Sequence, residues 1–273
     1  FFAQELTRDG IFECLRRRHH YGTTGTRLHL DVHAVLPTAG KLFDEDPKAF
    51  PDTPFRSVSQ VMMGDIVQTD DGYVTLSVEV SAQNPIERVE IRNGMETVKT
   101  IRGFSQDDLG DRIRIVWSGA EYRGRGRETH WEGRASINGA SIRRMEKINA
   151  WNHERKLEQD GDDAVIFDAI TTGNFGGFDV WLDNTTDAEL SIVTNLGTFQ
   201  MPVSQIGIED VVMEAGGLER KIRAFRLPHE NPHRTITTEL QIPLKADTDN
   251  PLWVCVTTED GFQAWSSPIY VFK

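Results

Sequence analysis

Runs of alternating apolar and polar residues dominate the chain from about residue 74 onward, and they favour stacked sheets over any other architecture. Val74, Leu76, Val78 and Val80 alternate with Thr75, Ser77 and Glu79. Val89 and Ile91 alternate with Arg88 and Glu90, and Ile113, Ile115 and Trp117 with Arg112 and Arg114. A period of two sends successive side chains to opposite faces of a strand, so each run has one face for a core and one for water. Asn93-Gly94 is a hairpin signal, with Val98 and Ile101 on the return strand. Further strands are readable at 131–137, 141–148, 164–170, 178–182, 189–194, 221–226, 235–244, 253–257 and 269–272. Many short strands with polar outer faces predict a mainly β chain, folded as an antiparallel β-sandwich.

The beginning reads differently. Thr7 can cap a helix running to His20, with Ile11, Phe12 and Leu15 on one face. Arg16 to His20 load its C-terminal end with positive charge, which the helix dipole favours. A turn at Tyr21–Gly25 leads into a short alternating strand near Leu28, Leu30 and Val32. This short α/β element cannot bury its own faces and must pack on something else. Pro37, Pro47, Pro51 and Pro54 then punctuate a stretch of little periodicity, expected as an extended linker over 36–57.

The net charge of −12 argues against nucleic acid as a partner, which needs a basic footprint. No apolar run approaches the ~18 residues of a membrane span. The chain opens Phe1-Phe2-Ala3-Gln4, with neither Met nor a secretory pattern, and is expected to be processed or cut from something longer. Cys14 and Cys255 are expected as two buried thiols rather than a disulfide or metal pair, and no C-x-x-C is present.

Charge is unevenly spread. Residues 121–156 carry nine basic and five acidic side chains, whereas 157–273 carry seven basic and 19 acidic. The basic island opens with Glu121-Tyr122-Arg123-Gly124-Arg125-Gly126-Arg127-Glu128-Thr129-His130. Guanidinium forks bind carboxylate or phosphate in two-point contact, and glycine lets backbone approach closely. Arg123, Arg125, Arg127 and His130 are therefore the candidate substrate-binding residues, for a small anion. The competing reading pairs these arginines with acidic surface. No phosphate-loop spacing is present.

His29, Asp31 and His33 share one strand face and could converge on zinc or manganese, or simply line a solvated face. The six tryptophans fit a core at strand spacing better than an exposed stacking surface. A serine hydrolase has no support without G-x-S-x-G. The acidic pairs, such as Asp107-Asp108 and Asp162-Asp163, read as solvated turns.

Three segments together resemble a known family. The first is Leu6-Thr7-Arg8-Asp9-Gly10-Ile11-Phe12, Leu15-Arg16-Arg17-Arg18 and Tyr21–Leu28. It is similar to the closing helix and turn of PHP-type (polymerase and histidinol phosphatase-like) metal-dependent hydrolases. The second, Met63-Gly64-Asp65 with Pro85–Gly94, and the third, Trp253–Gly261 with Ala264–Tyr270, resemble the β-rich tail after the catalytic barrel in one branch of that family. The resemblance implies that 1–35 is the terminal helix-turn-strand of a TIM-like barrel, 36–57 a linker and 58–273 an appended sandwich. It implies phosphoester-type hydrolysis by the whole enzyme, a divalent metal (zinc or manganese), and a barrel domain or companion chain as partner. No metal ligand carries over, because Asp31-Val32-His33 falls after the closing turn. The alternative is a non-catalytic β-sandwich binding module for carbohydrate or protein.

Overall fold

The computed structural model describes residues 1–273 and is mainly β. The chain divides into two compact units: Phe1–Gly103 with Pro232–Lys273, and Phe104–Asn231. The second is inserted into the first.

The first unit is an eleven-stranded sheet wrapped around one core. Its longest strand, Leu28–Phe43, pairs antiparallel with Tyr73–Ala82, and that strand pairs with Thr235–Pro243. On its other edge Leu28–Phe43 takes Phe55–Met62, while Ile66–Gln68 pairs with Lys41–Phe43 on the first edge, beyond Tyr73–Ala82. Ile66–Gln68 lies parallel to Ile269–Phe272, which joins Asn250–Thr258 and its neighbours Ile86–Asn93 and Gln263–Ser266. Leu30, Val32, Val78, Val80, Val89, Ile91, Val254 and Val256 all point inward and are fully buried. The expected alternation is thus the core itself, and Asn93-Gly94 makes the expected hairpin, with Gly94 at φ 62°.

Residues 1–35 do not stand apart from this sheet, and a barrel fragment is not visible in them. Leu28–Phe43 runs straight across position 35, where the first domain was expected to end. Much of the expected linker is therefore strand, and only the stretch between Phe43 and Phe55 connects strands. Pro37 concealed this. Its register with Phe55–Met62 shifts between Val35 and Gly40, and such an irregularity tolerates a residue without an N–H. Nor is 58–273 one sandwich, since it contributes to both units.

The helix is shorter than expected, Arg8–Arg16, with Thr7 Oγ1 accepting from the Gly10 N–H at 3.1 Å. It stops because Arg18 takes a left-handed conformation, φ 61°. Cys14 is its one buried residue. Both cysteines are buried free thiols, and burial, ahead of the nearby Glu90 charge, pushes the Cys255 thiol up to about 12.

The three segments of the family resemblance meet at one corner of this unit. Arg18 Nε donates to the Gly64 carbonyl at 2.9 Å, and His19 Nε2 lies 2.8 Å from Asp65 Oδ1. The Gly64 N–H donates to Pro268 O, Ser267 N–H to His20 O, and Tyr270 N–H to Asp65 O. Tyr21–Thr23 pairs with Ala264–Ser266. Gly64 is required here: at φ 98°, a Cβ would stand 2.4 Å from the carbonyl oxygens of Arg17 and Arg18.

The inserted unit is a sandwich of two five-stranded antiparallel sheets. One runs Ile142–Ile148, Phe175–Leu182, Arg112–Ala120, Leu218–Leu227, Val211–Glu214. The other runs Leu157–Asp160, Ala164–Thr171, Thr129–Asn138, Glu189–Thr194, Gly197–Pro202. Ile113, Ile115, Trp117 and Phe178 of the first meet Trp131, Ala135, Phe167 and Leu190 of the second. Trp117 stacks on Phe167 with ring centres 4.6 Å apart.

Arg112 and Arg114 face away from that core yet are buried, together with Asp179. Asp179 accepts from Arg114 Nε at 2.7 Å and Nη2 at 2.9 Å, and from Arg112 Nε at 2.9 Å. Burial alone would raise the Asp179 carboxyl, but the charges and hydrogen bonds of Arg114 and then Arg112 outweigh it and hold it below the ordinary carboxylate range. A depressed folded-state value stabilises fully above the unfolded value of about 3.9, and that contribution is lost as pH falls through the folded value. Asp179→Asn should therefore cost about 3–5 kcal/mol at neutral pH. In urea denaturation followed by tryptophan fluorescence, the gap to the parent chain should close in strongly acidic buffer. An equal gap in both buffers would refute the assignment.

Candidate functional site

Strand ends bring the basic island together at one end of the inserted sandwich. Arg112–Ala120 leaves one sheet into the Arg-Gly-Arg loop, and Thr129–Asn138 continues in the other. Glu121 N–H donates to Arg127 O at 3.1 Å and closes the loop, while Gly124 and Gly126 take positive φ at 117° and 71°. Arg123, Arg125 and Arg127 are exposed, and no ion pair or hydrogen bond in the chain engages their guanidinium groups. The pairing with acidic surface weighed from sequence is therefore not made within this chain. His130 does not join them in one cluster: it lies on the outer face of its strand, exposed, with Nε2 3.4 Å from Glu128 Oε2.

Two more connections reach the same end. The turn after Ala164–Thr171 is held by Thr172 N–H donating to Asn174 Oδ1 at 2.9 Å. Hydrogen bonds from Gly119 N–H to Asn174 O and from Gly173 N–H to Gly119 O tie it to the stem of the Arg-Gly-Arg loop. The connection from Ile148 to Leu157 begins at Asn149, φ 52°, whose Nδ2 donates to Phe175 O at 3.1 Å. It ends where Asp168 N–H donates to Lys156 O at 2.7 Å and Arg155 Nη1 meets Asp168 Oδ1 at 2.5 Å.

These connections enclose an open pocket of about 470 Å³. Trp117 and Gly176 belong to its inner wall, and Asn149, Asn152, Asn174 and Trp151 surround it with Lys147, His153 and Lys156. Trp151 is 67% exposed, unlike Trp117, Trp131 and Trp181, which are core as expected. Trp253 and Trp265 are half-buried, so no pair of indoles forms an exposed platform.

Sequence reasoning found the basic island but missed Lys147, Trp151 and Lys156 as site residues. The excess of charge over 121–156 was the available signal. That 172–174 closes the same end follows only from strand pairing.

The strand-face set is not assembled into a metal centre. His33 Nδ1 lies 3.3 Å from Asp31 Oδ1, but His29 is exposed and its ring contacts Phe2 at 6.1 Å. No group of three or more His, Cys, Asp or Glu side chains in the chain is placed to hold an ion. No helix is long and apolar enough to cross a membrane.

Fold and site together define a protein of two mainly β units, one carrying the other as an insertion. The family model described as "Protein of unknown function (DUF3604)" matches residues 1–142, just over half of the chain, and the chain belongs to this family. The matched span covers the first segment of the host unit and the Arg-Gly-Arg loop, and stops short of Lys147. No curated protein and no solved structure matches the chain.

Asn149 sets the pocket rim through both its backbone and its amide. Asn149→Ala should destabilise the chain by about 1–3 kcal/mol, from the left-handed conformation and the lost hydrogen bond together. Asn149→Gly should recover only the backbone part. Chemical denaturation of the two variants checks this, and equal costs would contradict it.

Proposed function

We propose that this chain is the C-terminal part of a PHP-like metal-dependent hydrolase that acts on phosphoester-type substrates. The observation that carries the reading is the bare helix. Leu6 is 94% exposed, Phe12 46% and Leu15 42%, on the segment that resembles the family's closing helix. Burying an apolar side chain of this size is worth roughly 1.5–3 kcal/mol, so such a surface gains several kcal/mol from a partner. A barrel domain, in the same polypeptide or a companion chain, is the occupant in this reading. The corner where the helix end, Gly64-Asp65 and Ala264–Tyr270 interlock supports it, because it would hold the helix rigidly against such a body.

In this proposal the first unit buttresses the barrel. The Arg-Gly-Arg loop supplies positive charge for an anionic substrate and shapes its access. The metal, zinc or manganese, would be held by the barrel, since the residues of this chain do not form a donor set for it.

The test is to express the chain with the coding sequence that precedes Phe1. Metal analysis should find bound zinc or manganese, and bis(p-nitrophenyl) phosphate should be hydrolysed in a chelator-sensitive way. Phe12→Asp with Leu15→Asp should lower the melting temperature of the longer protein by several degrees and leave that of the present chain nearly unchanged. The absence of a preceding coding sequence, a metal-free inactive product, or equal effects in both contexts would overturn the reading.

A further inference from the structure

We infer that the pocket at the basic end of the inserted sandwich binds an acidic saccharide, a short sugar chain bearing carboxylate or sulfate. The inference goes beyond the hydrolase reading and does not depend on it, because every wall of the pocket lies within Phe104–Asn231.

The volume of about 470 Å³ falls in the range of small-molecule sites. Its polar groups are mostly donors. Two other buried indoles of this unit have acceptors: Trp131 Nε1 donates to Thr171 Oγ1 at 2.9 Å and Trp181 Nε1 to His229 O at 3.0 Å. Trp117 Nε1 has no acceptor in the chain, and Gly176 leaves its edge open, since a Cβ there would stand 3.2 Å away. Asn152 and Asn174 each spend the side-chain oxygen on a backbone N–H, of Glu154 and Thr172 respectively. Their amide NH₂ groups make no hydrogen bond within the chain. A set of this kind selects a ligand rich in acceptor oxygens.

Charge narrows the class. Arg155 is neutralised by Asp168, whereas Lys147 and Lys156 have no carboxylate partner. The three unengaged arginines of the neighbouring loop add to the same field. These cations sit on separate elements, Lys147 on one strand, Lys156 in the connection just before another and the arginines in a loop. That spread suits charges distributed along a ligand better than a single phosphate, which recruits donors to one point. Trp151, two-thirds exposed beside them, offers an indole face for the C–H side of a sugar ring.

Titration calorimetry and tryptophan fluorescence with digalacturonate and with a sulfated heparin disaccharide test this, with neutral galactobiose as control. At least one charged disaccharide should bind at millimolar concentration or below, at least about 10-fold tighter than galactobiose, and more weakly as salt is raised. The arm that binds distinguishes carboxylate from sulfate. Trp151→Ala, and Lys147→Ala with Lys156→Ala, should each weaken binding about 10-fold or more. All three positions are exposed, and circular dichroism verifies that the variants fold. Failure of both charged probes, equal binding of galactobiose, or affinity unchanged in either variant would overturn the inference. None of these outcomes bears on metal content or phosphodiester hydrolysis.

Discussion

A single buried carboxylate governs the sheet on which the pocket stands. Asp179 joins the strands Arg112–Ala120 and Phe175–Leu182 by taking both arginines of the first on one residue of the second. A buried ion is tolerable only when its partners are placed well, so the pair admits one register. That register puts Gly176 opposite Trp117 at the other end of the same two strands. The open edge of the Trp117 indole therefore follows from an electrostatic match several residues away. Arg112 and Arg144 also lie over the Trp181 ring, at 4.8 and 4.3 Å, so charge and aromatic surface share the outer face of this sheet with a smaller apolar cluster.

Much of the fold was legible because alternation reports burial directly. Val74 to Val80 and Val89 to Ile91 became core, and Asn93-Gly94 became a turn. The failures have physical causes. Arg112 and Arg114 read as a water-facing side, but Phe104, Phe225 and Leu227 build a second cluster on that face of the sheet. Pro37 disguised a strand that continues through a register shift. Arg18 ends the helix in a conformation usually left to glycine, so no residue type announced the stop. The division into two units was invisible because both are built from the same period. Of the candidate site, the arginine loop was legible from composition. The pocket was not, because strand pairing alone joins 149–156 to 172–174.

Family membership and architecture fit together unevenly. The matched residues 1–142 include the whole first segment of the host unit but leave the inserted sandwich just as its third strand begins. The interlocked corner lies partly outside that match, at Ala264–Tyr270, and closes the host unit from its far end. The two halves of the host are thus mutually dependent. Tyr73–Ala82 and Thr235–Pro243 pair side by side although the whole insertion separates them in sequence.

The junction of that insertion has a consequence of its own. At Gly103 a Cβ would stand 2.6 Å from the Cβ of His233, so the outgoing and returning chain touch. A short turn could bridge them, and the closure entropy of such a bridge grows only slowly with length. The host fold is in this sense indifferent to what lies between these two positions. Lineages could exchange, trim or elaborate the guest without disturbing the scaffold, which makes the guest the natural place for recognition to diversify while the scaffold stays constant.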